Sequence, residues 1–199
     1  MINFASFSAL SIFYFTMFFT PGPNNAMLTA SGMKFGFIRT LPHLIGIPLG
    51  HMLQISLVCF GLVNLFLIYP QIQFYMKILC FLYLLYLSWK MIGSFSLIKK
   101  ESGRPLKFYE ASLFQFINPK AWSVAIAVAS GFFPTEENIF IGVAFVAVTA
   151  TVICFPSICC WALFGSGLRT FINNEKTKKI TEYFLAFLLV LTGLFILIK

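Results

Sequence analysis

The sequence predicts an all-α integral membrane protein of six transmembrane helices, set out as two inverted three-helix repeats with both termini outside. Two observations carry that prediction. The first is composition: 199 residues, 59% hydrophobic and 10% charged, with a mean hydropathy of +0.90. A soluble domain carries about 25% charged residues to cover its surface. The second is the length of the stretches free of Asp, Glu, Lys and Arg, above all 1–33, 40–76 and 138–168. A hydrocarbon core of about 30 Å is crossed by roughly 20 apolar helical residues, and six such segments nearly exhaust the chain.

The first span is read as Phe4–Leu28. It lacks a basic leader and a small-residue cleavage site, so it reads as a retained helix rather than a signal peptide. The second is Leu41–Tyr69 and the third Ile72–Ile92, with Pro70 marking the turn between them. The fourth is Glu110–Phe133, followed by a turn over 133–138, then the fifth at Ile139–Leu168 and the sixth at Ile180–Ile198. These runs are too long and too continuous for barrel strands, which alternate and turn about every ten residues. The longest polar stretch, Ile98–Lys107 with Gly103 and Pro105, divides one transmembrane domain (1–199) into halves of about 1–97 and 108–199. Three spans reverse direction, so the second half is inverted relative to the first, an arrangement common in secondary transporters.

Orientation follows from the basic residues. Lys34 and Arg39 fall between the first two spans. Lys90, Lys99, Lys100, Arg104 and Lys107 fall around the central polar stretch, and Arg169, Lys176, Lys178 and Lys179 between the last two. Eleven of the fourteen basic residues thus lie on one side, with Lys77, Lys199 and the acidic Glu136 and Glu137 opposite. Basic loops stay in the cytoplasm. The net charge of +8 is therefore a topology signal rather than the mark of a nucleic-acid partner. Cys59, Cys80, Cys154, Cys159 and Cys160 all fall in apolar spans without a C-x-x-C pair, and read as small hydrophobes rather than metal ligands. No cofactor is implied. The partners expected are a small solute and membrane lipid, and the sequence leaves a homo-oligomer open.

Two interruptions carry the chemistry. The first span contains Thr20-Pro21-Gly22-Pro23-Asn24-Asn25. Prolines flanking a glycine remove backbone donors and free carbonyls that lipid cannot satisfy, so such a break belongs in protein or beside a wet cavity. The fourth span contains Asn118-Pro119-Lys120, with Lys120 about 15 Å from the start of that span. There a charge costs about 2.5–3.5 kcal/mol even on the mildest scale. A solute carboxylate, or the carbonyls of the first break, would offset it through charge-assisted bonds; snorkelling to the interface is the bland alternative. His51 lies in the middle of the second span and His43 nearer its cytoplasmic end. Histidine is the side chain suited to proton coupling near neutrality, though a packed, hydrogen-bonded role is the commoner one. Gly46 and Gly50 form a G-x-x-x-G that close helix packing explains. A second such pair, Gly32 and Gly36, reads as loop.

Thr20-Pro21-Gly22-Pro23-Asn24, the glycine-spaced second span (Gly46, Gly50, Gly61), the run from Lys77 through Tyr83–Lys90, and Asn118-Pro119-Lys120-Ala121 together resemble the LysE/RhtB family of amino-acid exporters, in order and over essentially the whole chain. The resemblance implies efflux of amino acids or close derivatives across a bacterial cytoplasmic membrane, driven by a proton or ion gradient. The two breaks are the expected solute site, at Pro21, Gly22, Pro23, Asn24, Asn25, Asn118, Pro119 and Lys120, with His51 a candidate for coupling. His51 stands where many members are expected to carry an acid. No acid lies deep in any span, which favours a neutral solute. The rival class is a six-helix membrane enzyme acting on lipid or peptide. That chemistry needs a carboxylate cluster, a Ser–Lys or Ser–His pair, or paired aspartates. The chain has no Asp, and its six Glu sit at span ends or in loops.

Overall fold

The computed structural model describes residues 2–62, 68–69, 71–92, 103–171 and 175–198. Among these it is helical without strands: α1 Phe4–Phe19, α2 Pro23–Phe35, α3 Phe37–Leu57 continuing into a π-turn at Val58–Leu62, α4 Gln71–Met91, α5 Phe108–Phe114, α6 Pro119–Gly131, α7 Ile139–Phe171 and α8 Glu175–Ile198. Pro70, residues 98–102 of the central polar stretch and Lys199 lie outside the described residues.

The proline motifs end helices where the sequence places them. α1 stops at Phe19, Thr20 turns extended, and Pro23 opens α2 at its first position, where a missing N–H costs nothing. The two helices meet at 56°. The segment expected as the fourth span is likewise two helices, α5 and α6. Residues 115–118 tighten into successive i→i−3 bonds, and Asn118 caps α6 by accepting from the Lys120 amide at 3.1 Å. α3 and α7 are each long and apolar enough to cross a membrane, and the bent pair α1–α2 passes the same test as one broken span.

One sequence expectation is corrected. Gly32 is not in a loop: α2 runs to Phe35 and α3 starts at Phe37, so Lys34 and Arg39 both lie on helices. The reversal is made by Gly36 alone, at φ +82°, a left-handed conformation that a side chain disfavours.

α7 is the centre of the bundle, packed against α1, α2 and α3. Small residues set its closest approach. A Cβ at Gly165 would collide with the Thr29 carbonyl of α2, and one at Gly32 with the Ala162 carbonyl of α7. Gly46 and Gly50 bring α3 equally close to α5 at Phe108 and Ser112, where the Ser112 hydroxyl donates to the Gly46 carbonyl at 2.9 Å. Lipid offers apolar side chains no drive to leave it, so such backbone contact is how membrane helices hold together. α4 pairs with α8, and the two reach the rest through α6, which packs on α4, and α2, which packs on α8. Large apolar residues such as Ile12, Phe74, Val152 and Phe187 face outward throughout.

Candidate functional site

The two breaks face one another near the centre of the bundle. A helix that stops inside a membrane leaves carbonyls without donors, and here side chains supply them. At the end of α1, the Asn25 amide donates to the Phe18 and Thr20 carbonyls at 2.8 and 2.9 Å. Lys120 Nζ donates to Thr20 O at 2.6 Å and Pro21 O at 3.2 Å. At the end of α5, the Gln54 amide donates to Gln115 O and the Trp122 indole to Phe116 O, both at 2.9 Å. The Lys120 charge thus sits at the negative end of α1. Of the two offsets that the sequence allows for its burial, the carbonyls of the first break hold it in this structure. Gly22 makes the approach feasible, since a Cβ there would lie 2.8 Å from Lys120 Cδ and 3.1 Å from Nζ.

Between the breaks lies a cavity of about 30 Å³, bordered by seven of the nine residues singled out from the sequence: Gly22, Pro23, Asn24, Asn25, Asn118, Lys120 and His51. Pro21 and Pro119 flank it rather than border it. The N-termini of α2 and α6 both open here, and a helix N-terminus favours an anion. Cys154, Ile158 and Val124 supply an apolar wall, and among the described residues no carboxylate borders the space.

Two residues that sequence reasoning passed over complete the site. Gln115 exchanges a pair of amide hydrogen bonds with Asn24, at 2.9 and 3.2 Å, tying the two helix breaks together. Gln54 joins His51 to the same junction: His51 Nδ1 lies 3.0 Å from Gln54 Oε1. Both glutamines are fully buried within mainly apolar stretches of the chain, and that mismatch is the signal that would have found them. Glu182, read as an end carboxylate, is also buried within α8.

A second, larger cavity of about 870 Å³ lies along the next turns of α2, bordered by Met27, Ser31, Lys34, Tyr83, Arg104 and Glu110. His43 borders it with neither ring nitrogen hydrogen-bonded. Arg104 and Glu110 form a two-pronged ion pair at its rim, at 2.5 and 2.6 Å. Among the described residues no group of three or more His, Cys, Asp or Glu is placed to hold a metal ion.

Residues 15–199 match the model of the family described as LysE type translocator. The chain is 30% identical over 147 residues to the cysteine/O-acetylserine efflux protein of Salmonella paratyphi A, covering 73% of this chain and 75% of that one. It is 29% identical over 150 residues to the protein of the same name from Escherichia coli K12, with the same coverage. No solved structure matches.

Proposed function

The chain belongs to the LysE type translocator family, and from that we propose that it exports a neutral amino acid or close derivative from the cytoplasm across the bacterial inner membrane, driven by a proton or ion gradient. The observation that carries this reading is the apposition of two helix breaks around one small polar cavity inside an apolar bundle. The α2 and α6 N-termini and Lys120 suit a carboxylate, and the absence of any acid among the described residues bordering the cavity disfavours a cationic side chain. Cysteine and O-acetylserine, named for the relatives, are the first solutes to test. The larger cavity, on the side of Lys34 and Arg104, serves as the approach from the cytoplasm.

Six spans in two inverted repeats, with both termini outside and halves of about 1–97 and 108–199, fit this role. Two features support the repeat. Each half opens with a broken pair whose second helix starts on a proline, Pro23 or Pro119. The neighbours also correspond, since α1 packs on α7 as α5 packs on α3, and α2 on α8 as α6 on α4. His51, buried beside the cavity, is the candidate for coupling. The family and the relatives are named for transport rather than for catalysis.

The test is export in cells lacking their own amino-acid exporters. Expression should lower the internal pool of at least one neutral amino acid and raise tolerance to its excess. No change across a broad panel, with the protein present in the membrane, rejects the reading.

A further inference from the structure

His51 is 2% exposed and borders the small cavity, yet its Nε2 has no hydrogen-bond partner. Its other nitrogen is committed, and the direction of that commitment can be worked out. The Gln54 amide lies between His51 and the carbonyl of Gln115. A carbonyl only accepts, so the Gln54 NH₂ must face Gln115 O, at 2.9 Å. Its oxygen therefore faces His51 Nδ1, at 3.0 Å, and an amide oxygen also only accepts. Nδ1 must carry the proton. In the neutral ring Nε2 is then a bare lone pair, on a residue that borders the cavity.

Most other acceptors around the cavity are occupied, Asn25 Oδ1 being the exception. Thr20 O receives Asn25 and Lys120, Pro21 O receives Lys120, Gln115 O receives Gln54, and Asn24 Oδ1 receives Gln115. Of the buried polar atoms without a partner among the described residues, His51 Nε2 alone belongs to a residue bordering this cavity. An amino acid brings one group that donates from every face, its α-ammonium. A buried acceptor without a partner is costly, and this cost is relieved when a donor arrives.

We propose that His51 Nε2 receives the α-ammonium of the solute, and that Gln54 is a positioning residue which keeps that nitrogen an acceptor. The inference rests on the amino-acid export reading above and assigns the solute's direction in the site. The carboxylate lies toward the α2 and α6 N-termini and Lys120, and the ammonium toward α3. A compound lacking the amino group leaves Nε2 unpaired and is discriminated against by about ten- to a hundredfold, the effect of one hydrogen bond to a charged group.

Two measurements test it. With only two histidines in the chain, nitrogen-15 NMR of histidine-labelled protein carrying a non-histidine tag resolves the ring of His51, assigned by its loss in His51→Phe. The expected state is neutral with the proton on Nδ1, and Gln54→Leu should lose that preference while Gln54→Glu, which keeps an accepting oxygen, retains it. A proton on Nε2, a doubly protonated ring, or a Gln54→Leu spectrum like wild type overturns the proposal. The second measurement is inhibition of labelled L-cysteine uptake into inside-out vesicles by unlabelled L-cysteine and by 3-mercaptopropionate. Wild type should prefer cysteine by the factor above, and His51→Phe should lose that preference through KM more than through kcat. An undiminished preference in His51→Phe overturns it. Vesicles that carry no amino acid at all reject the export reading instead, and the tautomer then decides the role of Gln54 on its own.

Discussion

Replacing Lys120 by Met keeps the apolar stem and removes only the charge, and the structure sets the scale of the effect. The ammonium donates to Thr20 O at 2.6 Å and Pro21 O at 3.2 Å. Bonds from a charged donor contribute about 1.5–3 kcal/mol each, with the longer one at the low end. Against them stands a desolvation cost of about 2.5–3.5 kcal/mol for a lysine within a span. The two nearly cancel. Loss of the charge also leaves Thr20 O still paired with Asn25 at 2.9 Å, and Pro21 is itself exposed. The Lys120→Met protein should therefore insert and unfold in detergent within about 2 kcal/mol of wild type. Transport should respond differently, because in the proposed site that charge is the strongest anchor for a carboxylate, with no other cation among the described residues bordering the cavity. Uptake into inside-out vesicles, normalised to protein, should fall by at least about tenfold, the effect of one such bond at the low end of its range. Lys120→Arg should keep part of the activity, since its planar fork suits a compact site poorly. Wild-type uptake by the Met variant would refute the reasoning: Lys120 would then be only a helix cap, and the solute site would lie elsewhere.

Gly22→Ala should weaken transport by several-fold at near-normal stability, because the new Cβ displaces the Lys120 stem 2.8 Å away while the extended backbone at Gly22 accepts any residue; vesicle uptake beside a melting curve separates the two effects. Gly165→Val should cost more than about 3 kcal/mol, above the usual range for overpacking, since the obstacle is the Thr29 backbone rather than a movable side chain; size-exclusion of the detergent-solubilised protein should show little folded material, and a normal profile would contradict the close α2–α7 packing. Cysteines introduced at Lys107 and Thr135, both exposed, should react with an impermeant reagent only in opened cells and in intact cells respectively. The reverse pattern would invert the proposed orientation.

Much of the site was legible along the chain because its residues announce themselves by being out of place. Prolines and asparagines inside apolar runs mark where a helix cannot continue, and both breaks occur there, at Phe19–Pro23 and Phe114–Pro119. A lysine among hydrophobes advertises an unpaid desolvation cost in the same way. Gln54 and Gln115 carried the weaker form of this signal, since an uncharged amide costs less to bury, and they were missed. The Gly32–Gly36 segment was misread for another reason: two glycines resemble a turn, and nothing local reveals that Gly32 is small because the Ala162 backbone lies against it.

The sequence by itself determined the helical membrane class and the positions of the breaks, because an apolar solvent penalises every unpaired backbone group and so ties chain composition directly to local structure. It could not determine which groups meet across the breaks. Lys120 finds a carbonyl 100 positions away, Asn24 an amide 91 away, and Gln54 a carbonyl 61 away. Those pairings, and through them which nitrogen of His51 carries the proton, depend on how α2, α3, α5 and α6 pack around α7. Periodicity along one helix records which residues avoid lipid, and only the packed bundle decides which partner each of them meets.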